Sequence, residues 1–304
     1  MTPTPGKLLL LDTPSLYFRA FFGVPDTMTA PDGSPINAVR GLLDFIARLV
    51  GDRKPCRLVA AMDADWRPAF RVDAIPSYKA HRVATGHEEE VPDALSPQVA
   101  IIEDVLEALG VACFGVEGYE ADDVIGTLAI HDPGPVDIVT GDRDLFQLVD
   151  DKSGVRILYV ARGVGNHERV TDHVVVEKYA VLPSQYADFA TMRGDASDGL
   201  PGVPGVGEKT AASLLLKYGD LRGIIAAAED PDSDMAPSPR KKILAAEDYL
   251  EVAPTVVEVA RDIKLGRFDA TLPSKPAHPQ NLELLAEHYN LGSAVPRLID
   301  VLAG

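Results

Sequence analysis

"KLLLLD", residues 7–12, runs four leucines without a break into an acid. An unbroken apolar run of that length suits a strand buried on both faces of a parallel sheet, its last residue emerging at the sheet's carboxyl edge. "RLVAAMD" (57–63) repeats the design and ends on Asp63. Between the two, "INAVRGLLDFIARLV" (36–50) places Ile36, Val39, Leu42, Leu43, Ile46, Leu49 and Val50 at helical intervals. Strand, helix, strand is therefore the expected order. It continues with "SPQVAIIEDVLEALG" (96–110), a helix with Ser96 as its cap, Pro97 in the first helical position and Gly110 as its stop. "VACFGV" (111–116), "VDIVTGDRD" (136–144) and "VRILYV" (155–160) read as strands, and "EADDVIGTLAI" (120–130) as a helix. This alternation predicts an α/β fold, a mainly parallel sheet flanked by helices.

From about Pro183 the strand signals stop. "PSQYADFATMRG" (183–194), "EKTAASLLLKYG" (208–219) and "RKKILAAEDYLEVA" (240–253) read as helices, and the polar, proline-rich "AEDPDSDMAPSPRKK" (228–242) as an exposed loop. The expected division is an α/β unit over 1–182 and a helical unit over 183–304. The 304 residues are 46% hydrophobic and 25% charged, which suits a folded chain of that size. Net charge is −17, from 46 acidic against 29 basic residues, so a surface that grips nucleic acid over its whole extent is excluded. Any basic face must be local. Cys56 and Cys113 follow no metal-ligand or disulfide spacing and suit a reducing cytoplasm. The apolar run near the start is too short for a signal segment, and no stretch reaches the length of a membrane span, so the expectation is a cytoplasmic protein without membrane association.

In an open α/β sheet, ligands collect beyond the carboxyl ends of the strands. Asp12, Asp63, Asp142 and Asp144 fall at expected strand ends, and Glu120, Asp122 and Asp123 open a helix facing the same edge. Taken singly, each could be a turn former, a cap or a complement to the helix dipole. Seven carboxylates at one edge raise one another's pKa and repel unless a cation neutralises them. The donors are hard oxygens with no Cys or His at ligand spacing, which selects Mg²⁺ or Mn²⁺ over zinc. Asp195 and Asp198, three residues apart, can share one face of a helical turn. "GVPGVGEKTA" (202–211) then sets closely spaced glycines ahead of an amphipathic helix, offering backbone amides and a helix N-terminus to a phosphate, with Lys209 beside them.

Together, "LLLLDTPSLYFRAF" (8–21), "AAMDADWRPAFR" (60–71), "YKAHR" (78–82), "GYEADDVIGTLA" (118–129), "TGDRDLFQLV" (140–149) and "MRGDASDGLPGVPGVGEKTAASLL" (192–215) resemble, in order, the 5′-nuclease family. That family comprises the flap endonucleases and the 5′-3′ exonuclease domain of bacterial DNA polymerase I. The resemblance implies a PIN-like nuclease core over 1–182, with a helical arch or gateway at about 71–95. It implies a helix-three-turn-helix DNA-binding module at about 183–222 within the helical region. It places a first metal site near Asp12, Asp63, Glu120, Asp122 and Asp123, and a second near Asp142, Asp144, Asp195 and Asp198. Lys79 and Arg82 match the basic pair of the arch, Arg19 and Arg71 are further cations for the scissile phosphate, and Tyr78 is a surface on which an unpaired base could stack. Gly202, Gly205, Gly207, Lys209 and Thr210 would meet the duplex backbone, and main-chain carbonyls of Val203 and Val206 would hold a K⁺ ion. Gly199 stands where family members commonly carry Asn.

The implied function is a stand-alone, metal-dependent, structure-selective 5′ nuclease of DNA replication and repair. It would act as a monomer on 5′ flaps, nicks and 5′ ends, leaving 5′-phosphate and 3′-hydroxyl ends, with DNA polymerase I and ligase as partners. The alternative is a non-catalytic branched-DNA-binding protein on the same scaffold, which would be expected to have lost some of these acids. A phosphatase of the haloacid-dehalogenase type would need an acid two residues after Asp12, where Pro14 stands. "HEEE" (87–90) reads as a solvated charge run and Trp66 as a packing residue.

Overall fold

The first half of the chain runs β1 (Leu8–Asp12), α1 (Thr13–Gly23), α2 (Asn37–Arg53), β2 (Arg57–Ala61), α3 (Ala69–Ala74), α4 (Ser96–Leu109) and β3 (Ala112–Phe114). There follow α5 (Ala121–His131), β4 (Val136–Thr140), β5 (Val155–Tyr159), β6 (Glu168–Val170) and α6 (Asp172–Tyr179). The remainder is helical: α7 (Tyr186–Arg193), α8 (Glu208–Tyr218), α9 (Leu221–Glu229), α10 (Pro237–Leu244), α11 (Glu247–Val257), α12 (Pro279–His288) and α13 (Ala294–Leu302). The computed structural model describes residues 6–84 and 89–304. Residues 85–88, which belong to the expected arch and to the "HEEE" run, lie outside the described residues.

One six-stranded sheet, ordered β3-β2-β1-β4-β5-β6, is parallel throughout except for β6, which pairs antiparallel with β5. β1 is central and wholly buried, which is why its sequence is leucine at every core position. The strand period of two splits those leucines between the faces. Leu9 and Leu11 pack with Leu42 and Ile46 of α2 and Ile102 of α4 on one side. Leu8 and Leu10 pack with Val124 and Ile125 of α5 on the other. The sheet's three-residue β6 carries too little pattern to be seen in the sequence.

Three expectations change. α4 begins at Ser96 itself, with Leu95 in the cap position and no side-chain cap bond. The buried side chain of Gln98 instead bonds across to α2, accepting from the amide of Ala38 at 2.8 Å. The helix read over 240–253 is two helices, because the chain turns at Ala245–Ala246 between α10 and α11, and the loop read over 228–242 shortens to the stretch between α9 and α10. All six strands lie before residue 183, and the end of the chain returns to pack on the α/β unit. Leu282 of α12 and Val295, Leu298 and Leu302 of α13 join the core beneath α2 and α4, while Leu272 donates its amide to the carbonyl of Cys56 beside β2. The helical module therefore lies between two stretches of the same α/β unit. No helix among the described residues is long and apolar enough to cross a membrane.

Candidate active site

β1, β2 and β4 are mutually parallel, so their carboxyl ends open on one side of the sheet, and the acids gather there. A cavity of about 400 Å³ is lined by Asp12, Asp63, Glu120, Asp122, Asp142 and Asp195, with Lys79, Arg82 and Arg143 as its cations. A larger cavity of about 750 Å³, bounded by Asp188, Leu221 and Glu258, contains none of the residues singled out in the sequence. The acids expected from the sequence gather at the smaller one.

Asp12 ends β1 and is fixed on both oxygens, accepting from the amide of Ser15 at 3.1 Å and from the hydroxyl of Thr140 at 2.6 Å. The first bond caps α1 and the second ties β1 to β4. Burial pushes its pKa up to about 6 against the pull of those two hydrogen bonds. Asp63, just beyond β2, accepts from the amide of Ala121 at 2.7 Å, and burial raises it to about 7. Asp122 is held well above the usual carboxylate range by burial first, then by Asp12 and Asp142. Asp144 is raised likewise by burial, then by Asp142, Asp198 and Asp195. Among the described residues, neither Asp122 nor Asp144 has a hydrogen-bond donor on its carboxylate.

Asp195 and Asp198 sit in a tight turn rather than on a helix. Asp195 and Leu200 exchange two backbone hydrogen bonds of 3.0 and 2.8 Å across it. Burial raises the Asp195 carboxyl, but the amide and hydroxyl of Ser197 and the nearby Arg193 outweigh it and hold the group below its ordinary value. Asp198 accepts from Arg82 at 2.9 Å, and burial raises it.

Asp123 and Arg71 belong to the scaffold rather than the cavity. Asp123 is fully buried and accepts two hydrogen bonds from Arg71, at 2.8 and 2.7 Å, one from the amide of Glu120 at 3.1 Å and one from the amide of Ala260 at 2.8 Å. Four donors saturate a carboxylate, leaving nothing for an ion. Arg71 is 2% exposed, also reaches Glu120 and the carbonyl of Val256, and is unavailable to a phosphate. The cause is electrostatic, since a buried charge left unpaired costs several kcal/mol. Tyr78, at 4% exposure, is no stacking surface; its hydroxyl donates to Glu120 at 2.8 Å. Glu120 thus takes Arg71 and Tyr78 on one oxygen and the ammonium of Lys79 on the other, yet still borders the cavity.

Lys79 has φ +48°, and its backbone amide donates to the carbonyl of Asp198 at 2.9 Å. Two residues earlier, the hydroxyl of Ser77 donates to the carbonyl of Gly199 at 2.8 Å. Gly199 has φ +74°, and a Cβ built there would stand 2.2 Å from the carbonyl oxygen of Ser77. As the turn stands, it has no room for a side chain at this position. Arg19 passes beside Gly141 at the cavity wall, and its buried Nε has no hydrogen-bond partner among the described residues.

In the glycine-rich hairpin, Gly205, Gly207 and Lys209 are exposed and Thr210 half-buried. Gly202 is different: it is buried, with φ +66°, and a Cβ there would lie 2.6 Å from the backbone of Arg193. It packs the hairpin and has no face for a duplex. Val203 and Val206 are buried, and the carbonyl of Val203 accepts from the amide of Val206 at 2.9 Å. Sequence reasoning missed Arg143, Ser15 and Glu89, which also line the cavity. Arg143 could have been found from "TGDRD", because it stands between two acids at a strand end. Among the described residues no group of three or more His, Cys, Asp or Glu side chains stands at the spacing of a formed metal site.

An α/β core whose acidic cavity is stitched to a helical module by the turn at Asp198 is the layout of a 5′ nuclease. Residues 7–180 match the N-terminal, resolvase-like domain of the 5′-3′ exonucleases and residues 181–280 match their C-terminal SAM fold, and the chain belongs to that family. It is 59% identical over 299 residues to a 5′-3′ exonuclease of Streptomyces coelicolor, covering 97% of this chain and 99% of that one. It is 38% identical over 300 residues to DNA polymerase I of Mycobacterium bovis, covering 97% of this chain and 32% of the polymerase. Among solved structures, the bacteriophage T5 flap endonuclease in complex with DNA and metal ions shares the fold. The TM-score is 0.64 at 18% identity, with 98% of this chain and 100% of that one covered.

Proposed function

We propose that this 5′ nuclease hydrolyses DNA at 5′ flaps, nicks and 5′ ends with two or more bound Mg²⁺ or Mn²⁺ ions, leaving 5′-phosphate and 3′-hydroxyl ends. The observation that carries the reading is the convergence of seven acids, Glu89 among them, on one cavity that Lys79 and Arg82 also border. The donor set fits hard divalent cations, being carboxylate oxygen throughout, and Asp122 and Asp144 are raised by burial and by neighbouring acids with no donor to offset them. Asp12, Asp63, Glu120 and Asp122 would hold one ion, and Asp142, Asp144, Asp195 and Asp198 another, the carboxylates drawing together as they bind. Such ions supply an activated water and stabilise charge on the attacking and leaving oxygens.

The chain's own cations do the positioning. Lys79 and Arg82, anchored by Glu120 and Asp198, would orient the scissile phosphate, and the guanidinium groups of Arg19 and Arg143 would donate to its oxygens. The exposed Gly205, Gly207 and Lys209, with the half-buried Thr210, would follow the duplex backbone, with K⁺ on the carbonyls of Val203 and Val206. The enzyme would work as a monomer in the cytoplasm, beside DNA polymerase I and ligase, in replication and repair. The similarity to DNA polymerase I and to a DNA- and metal-bound flap endonuclease supports this reading. A 5′-flap oligonucleotide with Mg²⁺ tests it: Asp122→Asn should cut at least about 100-fold more slowly, since a metal-held reaction loses several kcal/mol with a ligand. Undiminished cleavage would overturn it.

A further inference from the structure

The chain's "RKK" at 240–242 stands on α10, beside the hairpin, and its three cations have different fates. Arg240 is consumed by the fold, donating to the carbonyls of Ala228, Asp230 and Ser233 and to the hydroxyl of Ser233. Lys242 reaches 37 residues back along the chain, and its ammonium donates to the carbonyl of Gly205 at 2.7 Å. Lys241 is exposed. Between α10 and the hairpin lies an open groove of about 590 Å³, lined by Pro204, Pro237, Ser238, Lys241, Lys242 and Ala245.

The nearby acids are engaged elsewhere. Glu208 faces Arg193 at 3.6 Å, and Asp234 is held by Lys217 at 2.8 Å and by the hydroxyl of Tyr218 at 3.1 Å. Among the described residues neither Lys241 nor Lys242 pairs with a carboxylate. In a chain of net charge −17, two unpaired lysines on one groove are not background. An ammonium has three donors, so Lys242 keeps two after bonding Gly205. The groove offers no aromatic wall for a base, which suits a sequence-independent, point-charge contact with phosphate.

We propose that the duplex-binding surface continues from the hairpin across this groove onto α10, where Lys241 and Lys242 take backbone phosphates. Lys242 has two tasks there: it fixes the Gly205 carbonyl and carries charge to the DNA. The inference rests on the DNA-cleaving function proposed above.

The test is the salt dependence of binding of a 5′-flap duplex in metal-free buffer, where nothing is cut. Lys241→Gln with Lys242→Gln keeps a donor for Gly205 and removes both charges. Each lost phosphate contact lowers the slope of log K against log salt by about 0.9, so the double variant should lose about two units and bind about tenfold more weakly. With Mg²⁺, kcat/KM should fall in proportion. Lys217→Gln, whose lysine is already paired, should leave the slope as it is. An unchanged slope in the double variant, or an equal loss in Lys217→Gln, would overturn the proposal. If the wild-type protein neither binds nor cuts the flap, the underlying function falls with it; if it does both and the double variant matches it, only the extension onto α10 falls.

Discussion

The backbone amide of Lys79 donates to the carbonyl of Asp198 at 2.9 Å, making the stretch that follows α3 and the acidic turn that follows α7 one hydrogen-bonded unit. The side chains of the same two residues each pair with a residue of the cavity wall, Lys79 with Glu120 and Asp198 with Arg82. A shift of the module would therefore move an acid and a cation together.

That joint predicts the effect of restoring the family's commoner residue. Gly199→Asn adds a Cβ where the Ser77 carbonyl stands 2.2 Å away, at a backbone φ of +74°. The Ser77–Gly199 contact must open, at a cost of about 1–3 kcal/mol. Thermal unfolding should show the loss, and single-turnover cleavage should slow with little change in duplex affinity. A variant as stable and fast as the parent would show that the close approach is unimportant.

Arg71 and Lys79 both meet Glu120, yet their replacement should have opposite signatures. Removing Arg71 strands Asp123 and Glu120 without their buried partner, so Arg71→Leu should destabilise the fold by about 3–5 kcal/mol. Lys79→Ala and Arg82→Ala act at the cavity's edge and should depress kcat far more than they weaken duplex binding. Denaturant titration alongside kinetics separates the two kinds. Equal loss of affinity and rate in Lys79→Ala would contradict a positioning role.

The raised acids predict how the metal-free protein responds to pH. Asp12 and Asp63 have folded pKa values of about 6 and about 7, above the ordinary carboxylate value of 3.8. Folded protein thus binds their protons more tightly than unfolded protein does. Their contribution is complete below about pH 4 and is lost as pH rises through 6 and 7. In a chelator, the melting temperature should fall between pH 5.5 and pH 8. Mn²⁺ should restore it at pH 8, and near pH 6, where these acids still hold protons, its binding should release them. A melting temperature that is flat over this range, with or without Mn²⁺, would count against the buried acids as the cause.

Much of the sheet was legible because burial on both faces forces a visible composition: the leucines of β1 and the valines and isoleucines near β4 and β5 admit little else. The acids at strand ends were legible for a related reason, since parallel strands must all end on one side. What the sequence could not give was the difference between Asp122 and Asp123. They are neighbours with the same side chain, but only Asp123 faces Arg71 and the amide of Ala260, the latter 137 residues away. Tyr78 was misjudged on the same ground, because its burial depends on Glu120 and on α11 packing over α3. α13 has no counterpart in the sequence reading, and nothing in its own residues names α2 as the surface it covers.

The return of α12 and α13 to the opening helices has a consequence for synthesis. A ribosome releases the surface of α2 long before it makes the helices that will cover it, so that face stays wet until α12 and α13 have emerged. Loss of those two helices would leave a greasy seam on an otherwise folded sheet, open to the cell's quality control.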